Sequence, residues 1–322
     1  MSDSLLYLSR GDVRSLAISP REVREAVLQA FRDHAAGLNR SLPKSALMLG
    51  QGNGFQAMVA ASPALGIGMV KWVAMATPAP GSMLPTVSSL IGVNDCTTGL
   101  PLAMMDGDEI TLIRTAAISA AAASRLAPPA PQTIGFVGCG LQAHAHLAAF
   151  RDLYPGLTTA LMLSRSRSSA ENLAGAARAA GLGAEVLDDA GALLARSDIV
   201  ISMVPAAAGL EPFLDARRMK ASAFAAAVDT GRSWQPETLP AFDLLVTDSL
   251  EQSRAPYGAD GNPVTTASFQ HDLIELSGKP RPDGPASRSL FAFRGVALAD
   301  LAMAHLVVTK ARAQGLGTML PR

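Results

Sequence analysis

The chain has 322 residues, 49% of them apolar and 17% charged, which is enough for one large core or two ordinary ones and too apolar for disorder. Its 27 lysines and arginines are balanced by 27 aspartates and glutamates, so it lacks the basic excess of a nucleic-acid binder, and no run approaches the roughly 18 apolar residues of a membrane span. Cys96 and Cys139 form no CxxC pair, which argues against a disulfide framework or a cysteine zinc site; Met1–Arg10 has no basic-then-apolar leader, and the cytoplasm is the expected location.

The first predicted element is a helix. Ser19-Pro20-Arg21-Glu22 combines a capping serine, a first-turn proline and a third-position glutamate, and Val23, Val27, Ala30 and Phe31 recur at helical spacing until about Gly37. Five short runs broken by glycine and proline follow: Ser45–Leu49, Phe55–Ala60, Gly68–Ala74, Thr86–Val93 and Leu102–Met105. They predict an antiparallel or mixed sheet. Asp108 is placed as the cap of a helix over Glu109–Leu126, which stops at the linker Pro128-Pro129-Ala130-Pro131. Beyond it, Thr133–Val137, Thr159–Leu163, Asp198–Ser202, Ala223–Val228 and Leu244–Val246 read as apolar strands. Helical patterns lie between most of them, notably Ser168–Gly181 and Asp189–Ala195, and this alternation predicts a parallel sheet covered on both faces. A strand-like Ser289–Phe293 precedes a last helix, about Leu298–Gln314, expected to return to the first domain. The expected fold is α/β: a Rossmann-type doubly wound parallel-sheet domain over 128–298, and a discontinuous α+β domain over 1–127 with 299–322.

Gly138-Cys139-Gly140-Leu141-Gln142-Ala143 sits between a strand and a helix, where a dinucleotide-binding turn belongs. Gly138 permits the tight turn, Gly140 lets backbone approach a pyrophosphate, and Ala143 keeps the helix close to the sheet. The next strand ends in Ser164-Arg165-Ser166-Arg167, with no carboxylate to repel a 2′-phosphate, which favours NADP(H) over NAD(H) and leaves a solvated basic loop as the plain alternative. In the first domain Lys71 interrupts the apolar strand Gly66–Val73. Either it faces outward from a half-exposed strand or it is buried with a lowered pKa suited to proton transfer. Arg114 sits in an otherwise apolar helix, where its planar fork suits a carboxylate, although arginines on helices are commonly solvated. Thr115 beside it can bond a cofactor phosphate, and Lys44 is a third possible carboxylate partner. His144 and His146 lie i, i+2 on a helix, make no metal pair, and are placed at the surface. No metal site is expected.

Taken in order, these motifs resemble the ornithine cyclodeaminase/mu-crystallin family over nearly the whole chain. The resemblance rests on Val70-Lys71-Trp72-Val73; Leu84-Pro85-Thr86-Val87 with Asp95, Thr98-Gly99 and Pro101-Leu102; Ile110-Thr111 with Arg114-Thr115-Ala116-Ala117; the glycine loop ending Gln142-Ala143; and Ala299-Asp300-Leu301-Ala302 with Gly315-Leu316-Gly317. It implies a homodimer whose first domain builds the interface and part of the substrate pocket. It also implies that Lys71 and Arg114 contact substrate, that Lys44 takes a position often held by a carboxylate-binding arginine, and that Asp300 lies near the nicotinamide end.

Departures from the family pattern bear on the activity. The slot of the cyclodeaminase aspartate holds Gly231, and an acid stands two places earlier, at Asp229, either replacing that base or only bonding backbone at the strand end. A Met-Pro-Ala turn has become Met58-Val59-Ala60, and a Lys-Ser-Val-Gly run has become Arg294-Gly295-Val296-Ala297. The expected activity is hydride transfer between the nicotinamide and the α-carbon of a small 2-amino or 2-imino acid. Arg114 and Lys44 would hold the carboxylate, and Lys71 and Asp229 would be the catalytic pair. The cofactor-contacting set expected is Thr86, Arg114, Thr115, Gly138, Gly140, Leu141, Gln142, Ala143, Ser164, Arg165, Ser166, Met203, Val204, Pro205, Asp229 and Asp300. Ornithine or lysine cyclodeamination with a retained NAD, and a non-catalytic NADP-binding protein, are the alternatives.

Overall fold

The computed structural model describes residues 4–50, 52–78, 82, 84–205, 210–254, 268–279 and 287–322. Along the chain run β1 (Ser4–Leu8), α1 (Arg10–Ser15), α2 (Pro20–Ala35), β2 (Arg40–Ser41), β3 (Ser45–Gly50), β4 (Asn53–Ser62), β5 (Ile67–Met75), β6 (Val87–Asp95), β7 (Pro101–Asp106) and α3 (Asp108–Leu126). Then come β8 (Thr133–Val137), α4 (Leu141–Leu153), β9 (Thr159–Leu163), α5 (Arg167–Ala179), β10 (Gly183–Val186), α6 (Ala190–Arg196), β11 (Ile199–Ser202), β12 (Phe224–Ala227) and β13 (Leu244–Thr247). The chain continues through α7 (Leu250–Arg254), β14 (His271–Asp272), α8 (Leu273–Ser277), β15 (Ser289–Ala292), α9 (Ala297–Gln314) and β16 (Thr318–Pro321). Two compact units form. One takes the chain through Arg114 together with Arg254 and Gly295–Arg322; the other takes Thr115–Ser253 and the described residues from 268 to Arg294.

In the first unit a mixed sheet runs β16-β1-β7-β6-β5-β4-β2, with β3 also paired to β4. Only the β1–β7 pair in it is parallel. Its long strands alternate strictly: Ile67, Met69, Lys71 and Val73 of β5 point inward, while Val70 and Trp72 point out. The inward face is covered by α9, which packs on β4 and β5 and against α2. Ser19 and Glu22 form the reciprocal cap of α2, Pro20 opens it, and its buried stripe contains Val23, Val27, Ala30 and Phe31. Helix α9 is buried almost all round, as a central core helix must be, and that burial includes Asp300.

The outward face of this sheet is apolar and exposed among the described residues. Val59, Val70, Trp72, Leu90 and Met104 are exposed on adjacent strands, and Phe55 stacks on Trp72 with ring centroids 5.2 Å apart. Strands β1, β2 and β16 were not legible as runs. β2 has two residues, and β16 is exposed at every position, so neither shows an apolar period. The cap of α3 also differs from expectation. Asp106 accepts from the backbone N–H groups of Asp108 and Glu109, at 3.0 and 3.3 Å, whereas Asp108 turns back to the Ser89 N–H at 2.6 Å and pairs with Arg10.

In the second unit the sheet runs β10-β9-β8-β11-β12-β15-β13-β14, parallel throughout. Strand order reverses between β8 and β11, and in such sheets the crevice beyond the carboxyl ends at this point is where ligands bind. Strands β11, β12 and β15 are buried at every residue, because helices cover both faces. The core gathers Trp234, Phe242, Leu193, Val200 and Leu290, with Trp234 edge-on to Phe242 at 5.4 Å.

His146 does not lie at the surface as its spacing suggested; only His144 does. The His146 ring is fully buried on α4. Its Nδ1 lies 2.7 Å from the Gln142 carbonyl, which can only accept, so Nε2 accepts from the Ser119 hydroxyl at 2.9 Å. Desolvation holds the ring neutral and pushes its pKa from 6.5 down to about 4. Below pH 6.5 the unfolded chain takes up a proton that the folded chain refuses, so stability falls as pH drops from about 6.5 toward 4. We expect denaturant unfolding to show a loss of roughly 2 kcal/mol from this group between pH 7 and pH 5, absent from His146→Gln. Identical pH slopes for the two proteins would contradict the assignment.

Candidate functional site

In the first unit three charged side chains meet out of water. The inward register of β5 sends Lys71 into the core, where 1% of it is exposed, settling the choice between its two orientations. Its Nζ donates to Asp300 Oδ1 on α9 at 3.0 Å, and Arg114 Nε on α3 lies 3.3 Å from the same oxygen. The latter contact has charge-pairing distance but not hydrogen-bond geometry: Arg114 Nε has no hydrogen-bond partner, and Asp300 Oδ2 has none either. The guanidinium also crowds Gly295, where an added Cβ would stand 3.0 Å from Arg114 Nη1. Two cations against one anion leave a buried positive excess, which is costly unless an anion joins it. Desolvation lowers the Lys71 pKa to about 8; Asp300 opposes the shift and Arg114 adds to it.

The remaining first-unit candidates lie on separate segments. Lys44 is half-buried between β2 and β3, and Thr86 is exposed just ahead of β6, where its carbonyl accepts from the Ala76 N–H. Pattern reasoning placed Asp300 with the cofactor and missed that it is the counter-ion of Lys71.

In the second unit the glycine loop has the shape its spacing implies. Gly138 adopts φ +91°, and a Cβ there would stand 2.9 Å from the Met203 carbonyl oxygen, so the turn is pressed against the end of β11. Gly140 is the N-cap of α4, with no side-chain cap and nothing within 4 Å of where its Cβ would be. Leu141 is exposed, Gln142 half-buried, and Ala143 buried against the sheet. The open N-terminus of this 13-residue helix therefore offers N–H groups and a positive dipole end to an anion, and the cradle fits a dinucleotide pyrophosphate. Thr115, on the same unit, is buried on α3.

At the end of β9, Ser164 accepts from the Ser166 N–H, and Ser166 caps α5. Arg165 is exposed and makes no hydrogen bond or ion pair among the described residues, whereas Arg167 is engaged by Glu171 and Asp188. Beyond β11, Met203 N–H donates to Val137 at 2.8 Å, Val204 is half-buried and Pro205 exposed.

Asp229 is the hub of a buried network. Its Oδ1 accepts from Ser202 Oγ at 3.0 Å and Gly231 N–H at 3.1 Å; its Oδ2 accepts from Ser233 Oγ at 2.5 Å and Val204 N–H at 3.4 Å. Trp234 Nε1 in turn donates to Ser202 Oγ at 3.0 Å. Four donors, two hydroxyls and two backbone N–H groups, therefore meet on this carboxylate and tie the β12 turn to β11. Gly231, in the slot of the family's cyclodeaminase aspartate, has φ +87°, a conformation that disfavours any side chain there. The Ser202–Asp229–Ser233–Trp234 network was missed because only tertiary packing brings β11 beside the turn. Among the described residues no cluster of histidine, cysteine and acidic side chains is arranged to hold a metal, and no helix is long and apolar enough to cross a membrane.

The sequence profile of the ornithine cyclodeaminase/mu-crystallin family matches residues 6–315. Alanine dehydrogenase of Archaeoglobus fulgidus is 38% identical over 151 residues, which is 46% of this chain and 45% of that protein, so the aligned stretch spans about half of each. The ketimine reductase mu-crystallin of Mus musculus is 28% identical over 227 residues, 70% of each chain. Among solved structures, the Δ1-pyrroline-2-carboxylate reductase of Thermococcus litoralis in complex with NADH and L-proline has a TM-score of 0.87 at 26% identity, covering 98% of this chain and 99% of that one. A lysine cyclodeaminase is also a neighbour in fold.

Replacing Asp229 by asparagine presents an NH2 group to an environment built of donors. We expect the thermal midpoint to fall by several degrees, for a loss of about 2–3 kcal/mol. A native midpoint with turnover lowered a hundredfold would instead put Asp229 in the chemistry.

Proposed function

The chain belongs to the ornithine cyclodeaminase/mu-crystallin family, and from that premise we propose that it is an NAD(P)-dependent oxidoreductase of the C–N bond of a small 2-amino or 2-imino acid. The observation that carries this reading is the buried Lys71–Arg114–Asp300 cluster with its positive excess. Such a site accepts an α-carboxylate, for which the Arg114 fork is the geometric match and Lys44 a further cation. Lys71, with a pKa near 8, holds a proton that moves readily at neutral pH. The names of the relatives, an amino-acid dehydrogenase and two reductases of C=N compounds, support the same class.

In this reading residues 128–298 hold the dinucleotide, and 1–127 with 299–322 bind substrate and form the dimer. A bound nicotinamide dinucleotide supplies hydride to the α-carbon or removes it. Gly138, Gly140, Leu141, Gln142 and Ala143 hold the pyrophosphate, with Thr86, Thr115, Met203, Val204 and Pro205 around the remainder. Ser164, Arg165 and Ser166 take the adenosine ribose, and NADP(H) is the preferred form because Arg165 stands unengaged where a carboxylate would otherwise repel a 2′-phosphate. Asp229 positions the β11 and β12 ends rather than acting as acid or base. The exposed apolar face around Trp72 and Leu90 is covered by a second copy of the chain, since patches of this kind mark association surfaces. Cyclodeamination is the second reading; it is disfavoured by glycine at position 231 and by the saturated Asp229.

The test is oxidation of NADPH and NADH with 2-keto acids plus ammonia or methylamine and with preformed cyclic imines, beside ammonia release from ornithine and lysine. Reduced-cofactor oxidation is expected. Ammonia release without net cofactor change would replace the reading by cyclodeamination. Lys71→Met should lower kcat/KM at least a hundredfold, and a loss within about tenfold, ~1.4 kcal/mol, would remove Lys71 from the mechanism. Arg165→Ser should raise the KM for NADPH about tenfold and leave that for NADH unchanged; equal effects on both would count against an NADP preference.

A further inference from the structure

The two hydrogen-bonding vacancies in the first unit are of opposite kind. Arg114 Nε is a buried donor without an acceptor, and Asp300 Oδ2 is a buried acceptor without a donor. They belong to the two partners of one 3.3 Å ion contact. Buried polar atoms of this sort are rare in folded proteins, and each calls for an explanation. Both cations bear on the same oxygen of Asp300, since Lys71 Nζ donates to Oδ1 and Arg114 Nε faces Oδ1. Asp300 itself is fully buried, so water is no ready substitute at Oδ2.

The complement of such a pair is a ligand carrying an acceptor and a donor close together. A bare carboxylate supplies only the acceptor and leaves Oδ2 empty. A 2-imino acid protonated on nitrogen, or its amino-acid product, supplies both. We infer that Asp300 Oδ2 accepts the N–H of the substrate nitrogen, so that the enzyme selects the protonated imine with at least one N–H over the 2-keto acid. This rests on the reading of the site as an imino-acid reductase. Asp300 is then a substrate-binding residue with two faces, Oδ1 holding Lys71 and Oδ2 holding the substrate cation. Hydride arriving at the carbon moves the C–N π pair onto nitrogen. The nitrogen becomes a neutral amine held at Asp300, and it takes a proton from Lys71 Nζ to leave as the ammonium.

The opposing signs of two binding changes test the inference. Asp300→Asn removes the only anion of the cluster, leaving two cations. Carboxylates without nitrogen should bind as tightly as before or more tightly. The product amino acid should bind at least tenfold more weakly, since a hydrogen bond between charged groups is lost. Both are read as inhibition constants, or by calorimetry in the presence of cofactor, with the deaminated analogue having CH2 in place of N–H. Weakening of both ligands by the same factor would mean that Asp300 only supports Lys71 and would overturn the inference. Should the variant not fold, the wild-type protein decides. It should hold the amino acid at least tenfold more tightly than the CH2 analogue, and equal affinities would overturn the inference. Failure of the function itself is seen separately, as no imine reduction by the wild-type protein in the substrate panel.

Discussion

Lys71 and Asp300 are separated by 229 residues and joined by a 3.0 Å hydrogen bond in an environment almost without water. A lysine in the interior is tolerated when a carboxylate answers it, and the answering residue here comes from the last helix of the chain. That one contact requires α9 to return to the sheet after the whole of the second unit has been made. It also fixes the register of β5, since a slip of one residue would turn Lys71 outward and bring Val70 and Trp72 into the core. Arg114 then adds a second cation to a cluster that already has its anion, which leaves a buried positive excess beside Asp300.

The second unit solves a different problem, which is to expose backbone N–H groups without exposing the sheet that carries them. Gly138 bends the chain against Met203, and Gly140 leaves the mouth of α4 clear of any side chain. Behind the loop, His146 and Ser119 join α4 to α3, and Asp229 gathers two hydroxyls and two amides from the ends of β11 and β12. These neutral or fully bonded groups hold the cradle in place, and a preorganised site gives up little of its binding energy to reorganisation.

The first unit carries an apolar surface spread over adjacent strands, with Val59, Val70, Trp72, Leu90 and Met104 exposed on it. One of these strands, β5, carries Lys71 on its opposite face, where α3 and α9 bring Arg114 and Asp300 to it. The inward lysine and the outward apolar residues of β5 therefore come from one alternating pattern, with residues of odd and even position serving the two faces of the sheet.

The glycine loop, the capping box of Ser19 and Glu22, the core stripe of α2 and the strands from Thr133 to Leu163 were all legible in the sequence, because each depends on residues within a turn or a strand of one another. So was the identity of Lys71 and Arg114 as residues out of keeping with their apolar neighbours. The strands β1, β2 and β16 were not read from the sequence; β2 has only two residues and β16 is exposed throughout, so neither has a period of its own. Nor was the cap of α3, where two aspartates two residues apart compete and only the position of Ser89 and Arg10 decides between them. The burial of His146 and the saturation of Asp229 were decided by neighbours from other elements. What the sequence determined by itself was the list of chemical groups and the local frames that hold them. Tertiary structure alone decided which charge answers which, because an ion pair spanning 229 residues leaves no trace in spacing and exists only once the chain has closed on itself.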